Sequence, residues 1–62
     1  MLTLIQVYRV RGFAEVEHYC ELEVTVIPRK DESVVIDEHE YEVKKVLHDY
    51  DLDDIHIYIE AV

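Results

Sequence analysis

Six ionisable side chains of two ligand types crowd the nine residues "HDYDLDDIH": His48, Asp49, Asp51, Asp53, Asp54 and His56 surround Tyr50 and Leu52. Carboxylate oxygens at alternate positions are what a calcium ion needs, and Asp49, Asp51, Asp53 and Glu60 fall at positions 1, 3, 5 and 12 of a calcium loop. Two further positions fail. The turn glycine expected sixth is Asp54, the apolar residue expected eighth is His56, and the run towards Glu60 reads as a strand where an exiting helix is required. A transition-metal site needs His48 and His56 side by side with one or two aspartates, which follows only if the segments flanking residues 50 to 54 pair antiparallel. The plainer expectation is an acidic, solvated turn. His48 and His56 remain weak metal candidates, and no cofactor is expected.

Catalytic constellations are harder to find. The single serine, Ser33, lies in a polar loop, and there is neither a glycine-rich phosphate cradle nor a nucleophile elbow. His18 and Cys20 are two apart on a strand, about 7 Å at Cα, which permits a contact but reads first as packing. A chain of 62 residues also has little volume for a pocket that encloses a substrate. No catalytic residue is expected. What stands out instead is acid: Glu15, Glu17, Glu21 and Glu23, with Tyr19 among them, alternate along one strand and should share one side of it. With Asp49, Asp51, Asp53 and Asp54 they form the candidate partner-binding surface. One stripe is too sparse to imitate the phosphates of a nucleic acid, spaced about 3.4 Å along each strand, but two dimer-related stripes come closer.

The elements that must position these groups are mostly strands. "EVEHYCELEVTVI" alternates with period two, placing Val16, His18, Cys20, Leu22, Val24 and Val26 opposite the glutamates; thirteen residues would span roughly 44 Å, so the strand must bend, twist or reach a partner. "LTLIQVYRV" before it is β-rich, and Gly12 supplies a turn between the two. "PRKDES", residues 28 to 33, breaks the pattern, and "VVI" begins a short third strand. Residues 38 to 49 admit two readings. Asp37 and Glu40 make a capping pair for a helix with Val43, Val46, Leu47 and Tyr50 on one face; alternatively a tight turn at residues 37 to 40 leads into a strand with Tyr41 and Val43 inward and a bulge near Lys44 and Lys45. The last segment, "DDIHIYIEAV", puts Ile55, Ile57 and Ile59 towards a core and His56, Tyr58 and Glu60 away from it. The expected fold is mainly β, a small antiparallel sheet or barrel-like domain with a long bent second strand; the alternative is α+β, a helix at about 38–49 on a four-stranded antiparallel sheet.

Residues 1–62 are read as a single domain, since the length leaves no room for a second core. Hydrophobic gain and conformational cost nearly cancel in so short a chain, Cys20 has no disulfide partner, and half the residues are apolar, so a homodimer is expected. A lone cysteine fits a reducing cytoplasm, and apolar runs of two or three residues exclude a membrane-spanning helix or a signal peptide. Fifteen acids against six Lys and Arg give a net charge of −9, which excludes a broad basic surface for nucleic acid or anionic lipid. Residues 1 to 14 carry Arg9 and Arg11 and no acid, leaving −11 on residues 15 to 62.

In size and charge the chain resembles the small, acidic, often dimeric inhibitor proteins that phages encode. That resemblance implies a non-enzymatic protein acting by stoichiometric binding in the host cytoplasm, with a basic host protein, of anti-phage defence or of nucleic-acid processing, as its target. Two other classes stay open: a structural or accessory subunit of a larger assembly, and a small-ligand or metal-binding protein.

Overall fold

The computed structural model describes residues 2–13 and 15–62. Five strands follow one another: β1 (Thr3–Arg11), β2 (Glu15–Val24), β3 (Ser33–Ile36), β4 (His39–Asp49) and β5 (Asp54–Ala61). They form one curled sheet, a half-barrel, in the order β2-β1-β5-β4-β3. The β1–β2 hairpin and the β3–β4–β5 meander each fold back locally. They join where β1 and β5 pair in parallel, Val7 opposite Ile57 and Tyr8 opposite Tyr58. The mainly β, barrel-like architecture expected from the sequence is what forms, with this parallel pair at its centre.

No helix occurs among the described residues, so the α+β alternative falls: residues 39 to 49 are β4. The reason is local. Ile36 and His39 face each other across a two-residue turn in which Asp37 (φ 52°) and Glu38 (φ 69°) both take the left-handed conformation. That is the mirror-image turn whose twist suits a hairpin. It uses Asp37 to close a hairpin, not to cap a helix.

Each long strand carries one bulge. On β2, Val7 faces Cys20 but Tyr8 faces His18, so Tyr19 is the extra residue. On β4, Val43 faces Ile59 but Lys45 faces Tyr58, so Lys44 is extra. Because side chains alternate, one added residue moves everything beyond it to the other face and sharpens the twist. The inner, concave face therefore takes Ile5 and Val7 from β1, Tyr41 and Val43 from β4, Ile57 and Ile59 from β5 and Ile36 from β3, all buried. Cys20, Leu22, Val24, Val46 and Ile55 pack around them.

Curling brings the two ends of the sheet together. Tyr19 of β2 meets Tyr41 of β4 with ring centroids 5.9 Å apart, and its hydroxyl donates to Asp37 Oδ2 at 3.5 Å. Beyond β2, the chain crosses to the far edge, where the Asp31 and Val43 amides donate to the Val43 and Glu32 carbonyls, each at 2.8 Å. The half-barrel remains open. It exposes 4780 Å², against about 4,200 Å² from the mass scaling of compact monomers.

Candidate functional site

The outer, convex face carries a row of rings that no contiguous stretch of sequence announces. The register places His18, Tyr8, Tyr58 and Lys45 side by side across β2, β1, β5 and β4. Tyr8 and Tyr58 stack at 5.3 Å with 19° between their planes, and His18 meets Tyr8 edge-on at 5.3 Å. Lys45 Nζ lies 5.6 Å from the Tyr58 centroid, within cation–π range. His56, one step along β5, packs on Tyr8 at 5.1 Å. His18 Nε2 donates to Gln6 Oε1 at 2.8 Å, which fixes the imidazole's orientation.

Both ends of this row depend on the bulges. Were Tyr19 paired in a regular strand, His18 would point with Cys20 into the core; were Lys44 paired in the same way, Lys45 would follow Val43 inward. The two bulges thus aim His18 and Lys45 outward, to either side of the tyrosine pair. His56 is the one partner left with an unsatisfied buried nitrogen among the described residues. Its Nε2 is closed off from solvent, makes no hydrogen bond, and lies 3.8 Å from Asp54 Oδ2.

Carboxylates rim the row. Glu21 and Glu23 lie on β2, Glu42 and Asp49 on β4, Asp54 and Glu60 on β5, all by alternation on the outer face. Two pairs of them face each other directly across the β4–β5 ladder: Glu42 with Glu60, and Asp49 with Asp54. Like charges directly opposed destabilise a sheet. Lys44 hydrogen-bonds Glu42 and is held above its ordinary pKa by that contact, so one of the two pairs is partly offset. Leu4, half exposed, and Leu47 add apolar surface within the rim.

The expected single glutamate stripe is not what forms. The Tyr19 bulge splits it: Glu21 and Glu23 face outward beside the tyrosine row, whereas Glu15 and Glu17 face the opposite side as partners of Arg11 and Arg9. Arg11 Nη1 pairs with Glu17 Oε1 at 3.5 Å. Tyr19 leaves the stripe as well. Its phenol turns to the seam, where contact with the Tyr41 hydroxyl, burial and the Asp37 carboxylate push it up to about 12. His18 and Cys20, expected on one face, are on opposite faces, and burial followed by the Asp37 carboxylate raises the Cys20 thiol.

The stretch from 48 to 56 forms a turn and two strand ends. Asp49 Oδ1 accepts from the Asp51 and Leu52 amides, both at 3.1 Å, and Asp53 takes a positive φ of 55°. Asp49 therefore builds the turn, while Asp51 and Asp53 stay exposed on it. His48 faces Ile55 and His56 faces Leu47, so neighbouring register positions send the two imidazoles to opposite faces. Glu60 stands about 20 Å up β5 from Asp54. No group of three or more metal-ligating side chains occurs among the described residues.

Sequence reading singled out Tyr58 and His56 as an outward amphipathic side of the last strand; it missed Tyr8, His18 and Lys45 as their neighbours. The usable signal was the pairing of aromatic strands, which requires the parallel β1–β5 register. No helix among the described residues is long and apolar enough to cross a membrane. Comparison with family models, with curated proteins and with solved structures finds no match to the chain.

Proposed function

We propose that this chain is a non-enzymatic binding protein whose outer face takes an arginine-bearing segment of a basic protein, in the manner of a stoichiometric inhibitor. One observation carries the reading: an aromatic row, Tyr8 and Tyr58 with His18 and His56, enclosed by carboxylates that oppose each other across strands. A guanidinium stacks on a tyrosine face and pairs with carboxylates at its edge, so it satisfies both parts of that surface and relieves the like-charge pairs. An apolar, aromatic centre with a polar rim is also the ordinary anatomy of a protein interface. The same rim repels a second copy. The expected homodimer is therefore better served by the open edge of β3, where Ser33 to Ile36 are uncharged and Val35 is 71% exposed. A target in anti-phage defence or nucleic-acid processing, and action in a host cytoplasm, remain part of the proposal through the charge they require.

The test uses a labelled arginine-rich peptide and fluorescence anisotropy at rising ionic strength. Affinity should fall with salt. Reversing Glu21 and Glu23 to lysine should weaken binding about tenfold or more, whereas reversing Glu15 and Glu17, an equal change in net charge on the other face, should leave most of it. Equal losses from the two double variants, or affinity indifferent to salt, would refute the outer face as the site.

A second reading, a subunit of a larger assembly, draws on the same β3 edge. Light scattering separates them. A monomer or closed dimer supports the binder, and concentration-dependent open growth supports the assembly subunit.

A further inference from the structure

The concave face runs out at one end of the half-barrel into a cavity of about 450 Å³. Ile27, Pro28 and Val46 supply an apolar wall, and Thr3 and Thr25 lie beside it. Arg29, Lys30 and His48 complete the lining. Its charge is the reverse of the molecule's. Fifteen of 62 residues are acidic, yet no Asp or Glu lines this cavity, while two of the six Lys and Arg do.

These cations are available. Arg29 makes no ion pair among the described residues; its amide, not its guanidinium, is engaged, donating to Glu32 Oε1 at 2.6 Å. Lys30 Nζ lies 3.7 Å from Asp31 Oδ2, but both side chains are mostly exposed, and such pairs are weak enough to exchange for a better-placed anion. The turn holding them is set by the Glu32 amide donating to the Arg29 carbonyl at 3.1 Å and by Asp31 at φ 74°. The position of the site is one that barrels commonly use: the mouth, where core side chains become a floor. A second cavity begins on the other side of Thr3 and His48 and is lined by Asp49, Asp53 and Asp54, so the charge changes sign across His48.

We infer that the mouth of the half-barrel binds an amphipathic carboxylate, its apolar body on Ile27, Pro28 and Val46 and its carboxylate on Arg29 and Lys30. The neighbouring aspartates exclude the anionic head from the far side of His48 and so orient the ligand. This site is separate from the outer face and does not depend on the proposal made for it.

Decanoate, kept below its micellar concentration, is the probe, with calorimetry and backbone-amide NMR as readouts. The expected result is saturable binding with shifts confined to Thr3, residues 25 to 27, Arg29, Lys30 and residues 46 to 48. Arg29→Ala with Lys30→Ala should weaken it about tenfold or more, the scale of losing a charge-assisted hydrogen bond. Arg9→Ala with Arg11→Ala removes equal charge elsewhere and should leave affinity within about twofold. Decanol should bind more weakly than decanoate, and decyltrimethylammonium should not displace it. The inference is overturned if decanoate does not saturate, if its shifts map elsewhere, if decanol binds as tightly, or if the Arg9/Arg11 variant loses as much as the Arg29/Lys30 variant.

Discussion

Replacing Glu38 by glycine should stabilise this protein. Glu38 sits at φ 69° in the two-residue turn between β3 and β4, where a residue with a Cβ is strained. The left-handed conformation costs an ordinary residue roughly 1–2 kcal/mol. Glycine escapes that cost but loses about 0.5–1 kcal/mol of extra chain entropy on folding, so the net gain lies between about 0 and 1.5 kcal/mol, about 0.75 at the centre of the two ranges. For a domain of this size the central value moves Tm upward by roughly 3–6 °C. Glu38 is exposed, so its removal opens no cavity. It also removes a negative charge from a chain at −9, which could stabilise by itself. Glu38→Gln isolates that contribution, because it removes the charge and keeps the Cβ. Thermal melts followed by circular dichroism should rank glycine above glutamine and glutamine at or slightly above the parent chain. Glycine no better than glutamine would mean that the backbone at 38 is unstrained and that residues 36 to 39 do not form this hairpin turn. A fall in Tm would go further and favour a helical start at this position, where glycine is unfavourable.

Three further outcomes follow from named contacts. Tyr19, at about 12, keeps its proton in the fold after an unfolded tyrosine near 10 has lost it, so its contribution to stability is whole below pH 10 and disappears as pH rises from 10 through 12. A phenolate difference titration of the parent chain against Tyr19→Phe should centre near the upper value; a midpoint near 10 would contradict the seam. Burial and Asp37 hold the Cys20 thiol protonated, so iodoacetamide at mild alkaline pH should label the folded chain more slowly than the same chain in urea, and equal rates would place Cys20 outside the core. Asp49→Ala removes the acceptor of two amide hydrogen bonds and should cost about 1 kcal/mol by urea titration, Asp51→Ala should stay within about 0.5, and calcium, zinc or chelator should leave both melts unmoved.

How much of this was legible depends on which interaction decided each element. Period-two alternation in "DDIHIYIEAV" is decided by burial of one face, and Ile57 and Ile59 are indeed fully buried. The strand through residues 39 to 49 was harder, since its aromatic and β-branched residues favour a strand while Asp37 and Glu40 make a plausible helix cap. Pairing with β5 on one side and β3 on the other settled it, and neither partner is local. The parallel β1–β5 contact lies about fifty residues apart in sequence and has no turn signal to announce it. In the stretch from 48 to 56 the composition was read correctly as an acidic turn, but a shared face for His48 and His56 required a register one residue different from that which forms.

The misplacement of the glutamate stripe is instructive because it and the hidden aromatic row have one cause. Alternation along β2 is perfect by residue type, so a regular strand would bury His18 beside Cys20 and show Tyr19 with four glutamates. The fold chooses otherwise because Tyr19 has a better place: its ring reaches Tyr41 across the seam, and an inward phenol closes the curled sheet where an inward imidazole would leave a polar edge to satisfy. Spending one residue on the bulge turns His18 outward to meet Tyr8 edge-on and to bond Gln6. The bulge on β4 does the matching work for Lys45 at the other end of the row. A single device, used once on each long strand, therefore both curls the sheet over its core and assembles the outer row. A variant that deletes Tyr19 should restore regular pairing with His18 still opposite Tyr8, so it should keep the outer row and lose only the seam to Tyr41. Aromatic ring-current shifts of the His18 protons report this directly: they should persist in the deletion variant, and their loss would show that His18 does not pair with Tyr8 in the register described.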